Sequence, residues 1–269
     1  MKNGSGNNKD FTEKEIKSPY VMTVCSGKGG VGKSVLAANT AYSIAAKGKK
    51  VLLWDADMHF PNQHLLMGVD PPVRLNDVYL GNINVDQAFY RVNNNLTLLA
   101  DMPAGGSING YDDDIIIETY KSIFLENEFD FIIIDTPAAD GNEVLECCSF
   151  SDQVSIVVTD EPTSLLDAYG LVKILLQYID IEKLNLFVNN VIDWEDADDI
   201  SSKLNKATEN FLGTSLEVLG FIPYDRAVRQ SIMRQELLLV ANGDSEASVA
   251  LDKIAEKIID KSIKITELQ

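Results

Sequence analysis

The sequence is poor in the residues that would support a disulfide framework, a membrane span or a polyanion-binding surface. Its 269 residues include 3 cysteines, 2 histidines and 2 tryptophans. The cysteines are Cys25, Cys147 and Cys148. An odd count with two adjacent members does not form a disulfide framework, and adjacent cysteines lack zinc-site spacing. No apolar run approaches the roughly 20 residues that cross a bilayer. Met1 to Ser18 is polar and rich in Asn, Lys and Glu, without the apolar stretch of a signal peptide, and reads as a disordered lead-in. These absences point to the cytoplasm. With no Pro/Gly/Ser-rich linker and no repeat, the length reads as one α/β domain. Lys and Arg total 23 against 41 Asp and Glu, a formal net charge of −18. Such a surface repels nucleic-acid phosphate, and no dense Lys/Arg run offsets it, so nucleic acid is not an expected partner.

What is present is a series of short, uniformly apolar runs. Tyr20–Cys25, Val51–Trp54, Leu96–Ala100, Phe131–Ile134, Val154–Thr159, Leu184–Val188 and Val218–Ile222 read as buried strands. Helical patterns fall between or after them at Lys33–Lys47, Ile115–Leu125, Leu165–Ile179, Ile200–Phe211 and Ala247–Ile259. The alternation predicts a mostly parallel sheet covered by helices on both faces. In such folds ligands sit at the carboxyl ends of the strands. Here those ends carry a glycine loop, Asp55 and Asp57, Asp135, Asn189 and Pro223.

The glycine loop is Ser26-Gly27-Lys28-Gly29-Gly30-Val31-Gly32-Lys33-Ser34. Gly27 to Ser34 fits G-x-x-x-x-G-K-[ST], between a predicted strand and a predicted helix. Glycines let the backbone curl so that successive amides face phosphate oxygens. The following helix adds its positive end. Gly27 through Val35 is therefore the expected phosphate cradle, with ATP the expected ligand. Lys33 neutralises the β- and γ-phosphates, and the Ser34 hydroxyl ligates Mg²⁺. Phe131 to Asp135 is an apolar strand delivering a carboxylate for the same metal. Asn189 ends a strand with an amide able to pair with both a donor and an acceptor on an adenine edge. Its neighbour Asn190 is an alternative for that position.

A second lysine, Lys28, directly follows the first glycine of the loop. This Lys-Gly-Gly-x-Gly-Lys-Ser form resembles the deviant phosphate loop of the MinD/ParA family of ATPases. Asp55-Ala56-Asp57, then Asn62 and Leu65-Leu66-Met67-Gly68, resembles that family's first switch segment. Asp135-Thr136-Pro137-Ala138-Ala139 resembles its second, with Ala139 where the family usually has glycine. Gly220 to Asp225 resembles its Gly-x-Ile-Pro-x-Asp segment. The likeness runs from Tyr20 to the final helix, and within the family the pattern is closest to MinD and to FlhG/FleN-type regulators of flagellar number and placement.

The resemblance implies that Lys28 crosses a face-to-face ATP dimer to the partner's nucleotide. It implies that Asp57 orients the attacking water, that Asp55 supports the magnesium shell, and that Asn189, Pro223 and Asp225 frame the base. Asp225 also suits a helix N-cap. The expected domain spans residues 19–262, followed by a short tail at 263–269. The expected activity is slow, partner-stimulated ATP hydrolysis by a homodimerising switch that positions a flagellum or division site. A DNA-partitioning ATPase and a non-hydrolysing ATP-dependent scaffold are the alternatives. Peripheral membrane contact would need an amphipathic last helix. Val249, Leu251, Ile254, Ile258 and Ile259 form an apolar face there, but the opposite face mixes Asp and Glu with Lys, which suits anionic lipid poorly. A helix packed on the domain is the expectation.

Overall fold

The computed structural model describes residues 18–101, 113–125, 128–138 and 141–268. Among these, eight strands form one sheet: β1 (Tyr20–Cys25), β2 (Val51–Asp55), β3 (Phe89–Arg91), β4 (Leu96–Leu99), β5 (Phe131–Asp135), β6 (Gln153–Val158), β7 (Leu184–Val191) and β8 (Glu217–Pro223). The spatial order is β3-β4-β2-β5-β1-β6-β7-β8. β3 pairs antiparallel with β4, and every other neighbouring pair is parallel. β1, β2, β5 and β6 are buried along their whole length, as expected of apolar strands covered on both faces.

The helices are α1 (Lys33–Ala46), α2 (Gln63–Leu66), α3 (Leu75–Tyr79), α4 (Asp113–Leu125), α5 (Asn142–Ser149), α6 (Pro162–Leu175), α7 (Trp194–Leu212), α8 (Arg226–Arg234), α9 (Leu238–Ala241) and α10 (Glu246–Leu268). One face of the sheet packs on α1 and α10, where Leu36, Ala41 and Ile44 meet Leu251, Ile254 and Ile258. On the other face, Trp54 and Ile132 pack with Tyr120 and Ile123 of α4. Beside them, Ile156 and Leu186 pack with Leu171 of α6 and Ile200 of α7. The fold is thus a single α/β domain with a mostly parallel, doubly covered sheet, as the sequence predicts.

The amphipathic last helix lies on the domain. Its buried stripe includes Leu251, Ile254, Ala255 and Ile258, and it runs to Leu268, beyond the Ala247–Ile259 pattern. Polar ties fix its outer faces. Lys47 bridges to Asp252 at 3.0 Å and to Glu256 at 3.1 Å. Lys257 Nζ donates to the Leu219 carbonyl at 2.9 Å, and Lys261 pairs with Glu217 at 3.0 Å, both on β8 at the sheet's edge. Gly220 is required here, because a Cβ at that position would lie 2.5 Å from Ile254 Cγ1. Among the described residues no helix is long and apolar enough to cross a membrane.

Candidate functional site

The strand ends converge as the topology requires. β2 and β5 are neighbours in register, so Asp55 stands opposite Asp135, and β1 on the other side of β5 leads into the glycine loop. Gly30 and Gly32 have φ of 81° and 92°, left-handed values that cost a side-chain residue strain. Gly32 precedes the first turn of α1 and directs its amides into the loop.

Four buried side chains lock this end together. Lys33 Nζ donates to Asp135 Oδ1 at 2.8 Å. Gln63 Nε2 donates to Asp135 Oδ2 at 2.8 Å and to the Ser34 carbonyl at 3.0 Å. Asp55 accepts the backbone amides of Asn62 at 2.8 Å, Gln63 at 2.9 Å and Asp57 at 3.4 Å. Burial, and after it the charge of Asp135, push the Asp55 carboxyl well above the usual carboxylate range, while those amides pull the other way. The site thus holds two buried carboxylates and one lysine.

The chemistry of this donor set fits a nucleotide-bound magnesium. Gln63 Oε1 is buried without a hydrogen-bond partner beside Asp135, and an orphaned acceptor there suits a metal-bound water. Among the described residues no cluster of three or more His, Cys, Asp and Glu could hold a metal alone. A cation at this site would therefore need phosphate oxygens to complete its shell, which is how Mg²⁺ is commonly held.

The other expected residues have partners within this chain. Asp57 is half-buried, and its Oδ1 accepts the amides of His59 at 3.2 Å and Phe60 at 2.9 Å, tightening the turn after β2. Lys28 reaches the first turn of α6 in its own chain, where it pairs with Glu161 and donates to Thr163 Oγ1 at 2.9 Å. Asn189 Nδ2 donates to the Val31 carbonyl at 2.7 Å, so the amide supports the loop. Asn190 sits next to it with φ 63°. Asp225 caps α8 through the Ala227 amide at 2.8 Å and reaches the Ala247 amide, at the start of α10, at 3.3 Å. Burial opposes its ionisation, but these amides and Ser245 outweigh that, and its carboxyl sits below the usual range. Pro223 ends β8 beside Val191. Ala139 lies outside the described residues. The three cysteines are free and buried.

Two residues of this site escaped the sequence reading. Gln63 was visible only as a polar residue in the switch segment, and nothing local signals that its carboxamide reaches β5. Glu161 precedes a helix-starting proline and reads as a cap flank, so its pairing with Lys28, 133 residues away, carries no sequence signal.

A parallel sheet with a glycine loop after β1, a lysine and a strand-end aspartate joined under it, and a serine opening α1 define a P-loop NTPase. The family profile described as ParA: NUBPL iron-transfer P-loop NTPase matches residues 17–259. The chain belongs to this ParA family. It is 30% identical over 250 residues to the antiactivator FleN of Pseudomonas aeruginosa, covering 88% of this chain and 85% of that protein. It is 32% identical over 243 residues to an uncharacterised ATP-binding protein of Methanocaldococcus jannaschii, covering 88% and 87%. Among solved structures, the MinC:MinD cell division complex of Aquifex aeolicus matches with a TM-score of 0.74 and 27% identity over 90% of this chain and 96% of that one.

Proposed function

We propose that this protein is an ATP-binding and ATP-hydrolysing switch that dimerises on ATP–Mg²⁺ and sets the position or number of a flagellum or division site. The observation that carries the reading is the buried chain Lys33–Asp135–Gln63–Asp55. It ties the phosphate loop to the segment after β2 through side chains for which nucleotide and cation compete. Lys33 would turn to a triphosphate and Asp135 to a cation, and Gln63 would then lose one of its acceptors.

Gly27 through Val35 bind the phosphates of ATP, with Lys33 supplying the charge. Ser34 and Asp135 would hold Mg²⁺ and Asp55 would support its shell, the metal supplying positive charge to the phosphates when bound. Asp57 orients the attacking water through the carboxylate oxygen not engaged in its turn. Asn189, Pro223 and Asp225 border the base, Asn189 through its carbonyl. Lys28 exchanges Glu161 and Thr163 for the nucleotide of a second copy. Two relatives support this reading: the archaeal protein is an ATP-binding protein, and MinD assembles with a protein partner, MinC, in the Aquifex complex. A protein partner stimulates the slow hydrolysis. The chain works in the cytoplasm, and recruitment to the inner face of the membrane must use a surface other than the buried stripe of α10.

Size-exclusion chromatography with light scattering, in ATP and in ADP, tests the proposal. Wild type dimerises in ATP alone, Asp57→Ala remains dimeric because hydrolysis is blocked, and Lys28→Ala stays monomeric. A wild type that is monomeric in both nucleotides sinks the reading.

A further inference from the structure

Only five arginines occur in the chain, and three of them, Arg226, Arg229 and Arg234, lie on α8. Among the described residues none of the three forms an ion pair. α8 contains no acidic residue, and its inner side buries Ser231 with Ala227 and Val228 half-buried. Its outer side carries Arg226, Arg229, Gln230 and Met233, the i, i+3, i+4, i+7 spacing of one helix face. Met233 is 77% exposed and Tyr224, just before the helix, 64%. These residues border a shallow cleft of about 560 Å³.

An opposite surface lies beside it. The segment leaving β7 and opening α7 is Ile192-Asp193-Trp194-Glu195-Asp196-Ala197-Asp198-Asp199. Ile192 is 83% exposed and Trp194 63%. Asp193 caps α7, Asp196 accepts the Ile192 amide and Asp199 pairs with Lys203. Glu195 and Asp198 form no ion pair among the described residues. Their i, i+3 spacing matches that of Arg226 and Arg229. The two surfaces are rooted side by side, because the Tyr224 amide donates to the Val191 carbonyl at 2.7 Å. Both lie at the carboxyl end of the sheet, on the side of the phosphate loop.

We propose that α8 of one copy docks on the Ile192–Asp199 ridge of a second copy, and that the ridge of the first docks reciprocally on the second α8. This rests on the ATP-dependent dimer proposed above and assigns residues outside its nucleotide sites to the interface. Two copies at −18 each repel one another at long range, so self-association needs local complementarity, and α8 is where arginine is concentrated. Rotation about a twofold axis lying between two neighbouring patches brings each onto its opposite, the self-complementary arrangement an isologous interface requires. Tyr224 and Met233 on one side, with Ile192 and Trp194 on the other, add apolar area to the ion pairs, and Tyr, Trp, Met and Arg are residue types enriched at interface centres. The end of α8 packs against the segment that follows Asp55. A Cβ on Gly68, at the end of the segment that follows Asp55, would lie 2.5 Å from the Gln235 carbonyl that closes α8.

Charge reversal with mixing tests the interlock. Arg226→Glu/Arg229→Glu and Glu195→Lys/Asp198→Lys are each examined in ATP by light scattering, alone and mixed, with urea midpoints and monomer nucleotide affinities as controls for folding. Each alone dimerises about tenfold more weakly than wild type or worse, because both of its contacts are like-charged. The equimolar mixture regains wild-type dimerisation, because every contact in the mixed dimer is again opposite in sign. Variants that each dimerise like wild type overturn the interlock and leave the ATP dimer standing. Folded variants that stay apart when mixed overturn it too. A wild type monomeric in ATP overturns both readings. Retention of duplex DNA by wild type in ATP at low salt, lost on Arg226→Glu/Arg229→Glu, overturns the interlock by assigning the arginines to phosphate.

Discussion

At the ends of β2, β5 and β1 a buried run of side chains is tied together, Lys33 to Asp135 and Asp135 to Gln63, beside an Asp55 held by backbone amides. At the ends of β7 and β8 the polar side chains are tied to backbone: Asn189 to Val31, Asp225 to Ala227 and Ala247. Side-chain pairs can exchange partners when a charged ligand arrives, whereas backbone caps hold the frame in which that exchange occurs. The phosphate end is therefore the responsive part of the site and the β7–β8 end its scaffold. Lys28 is the outlier in the loop, facing solvent and its own α6 rather than either group.

This contrast can be broken most forcefully at Lys33. Lys33→Ala leaves Asp135 buried with a carboxamide as its remaining partner, and loss of one member of a buried pair costs about 3–5 kcal/mol. Urea denaturation reads this as a lowered midpoint, and fluorescent-nucleotide titration shows ATP binding lost. If the frame is as described, Asp225→Ala costs about 1–2 kcal/mol, the range of a lost N-cap. Its sign with pH follows from the depressed carboxyl. The stabilisation is present above the unfolded carboxylate value of about 3.9 and disappears as pH falls through the lower folded value. Urea midpoints of Asp225→Ala and wild type thus converge in acid.

Asp55 has the opposite sign. Its carboxyl is raised, so ionisation at neutral pH opposes folding, and protonation on the way down relieves that opposition. Asp55→Asn is expected to raise the neutral-pH midpoint slightly while weakening magnesium-dependent nucleotide binding, and the stability gap closes as pH falls. A midpoint that drops sharply at neutral pH would show that the three amides need the charge. The smallest effect on folding belongs to Lys28→Ala. Exposed pairs contribute about 0–1 kcal/mol, so its urea midpoint stays near wild type while the ATP-dependent dimer is lost. That outcome would separate Lys28 cleanly from Lys33.

Much of this contrast could be read in the sequence, and what escaped did so for physical reasons. Seven strands were legible because each is a short apolar run, buried on both faces in β1, β2, β5 and β6 and still apolar in β8 although Val218 and Phe221 are exposed there. β3 was not, because Phe89 and Tyr90 are half-buried, Arg91 is exposed, and three residues carry no periodicity. α7 begins at Trp194 rather than Ile200 because its first turn is acidic and capped by Asp193, a start set by side-chain chemistry and not by apolar spacing. The start of α8 was legible in Asp225 as an N-cap, but its extent was not, its outer face being made of arginine rather than apolar spacing. In the site, Lys33, Ser34 and Asp135 were readable from the loop and a strand-end carboxylate. The link through Gln63 was not, since it depends on α2 lying over β5, a relation between segments 72 residues apart.

β8 is the outermost strand on its side of the sheet, and an open strand edge invites pairing with another chain. Lys257 occupies the Leu219 carbonyl, and Lys261 engages Glu217 two residues earlier. An incoming strand would have to displace a charged ammonium before it could form its ladder. The last helix thus protects the chain from aggregation at the edge it covers, and shortening α10 before Lys257 would expose that liability even in a molecule whose nucleotide site is intact.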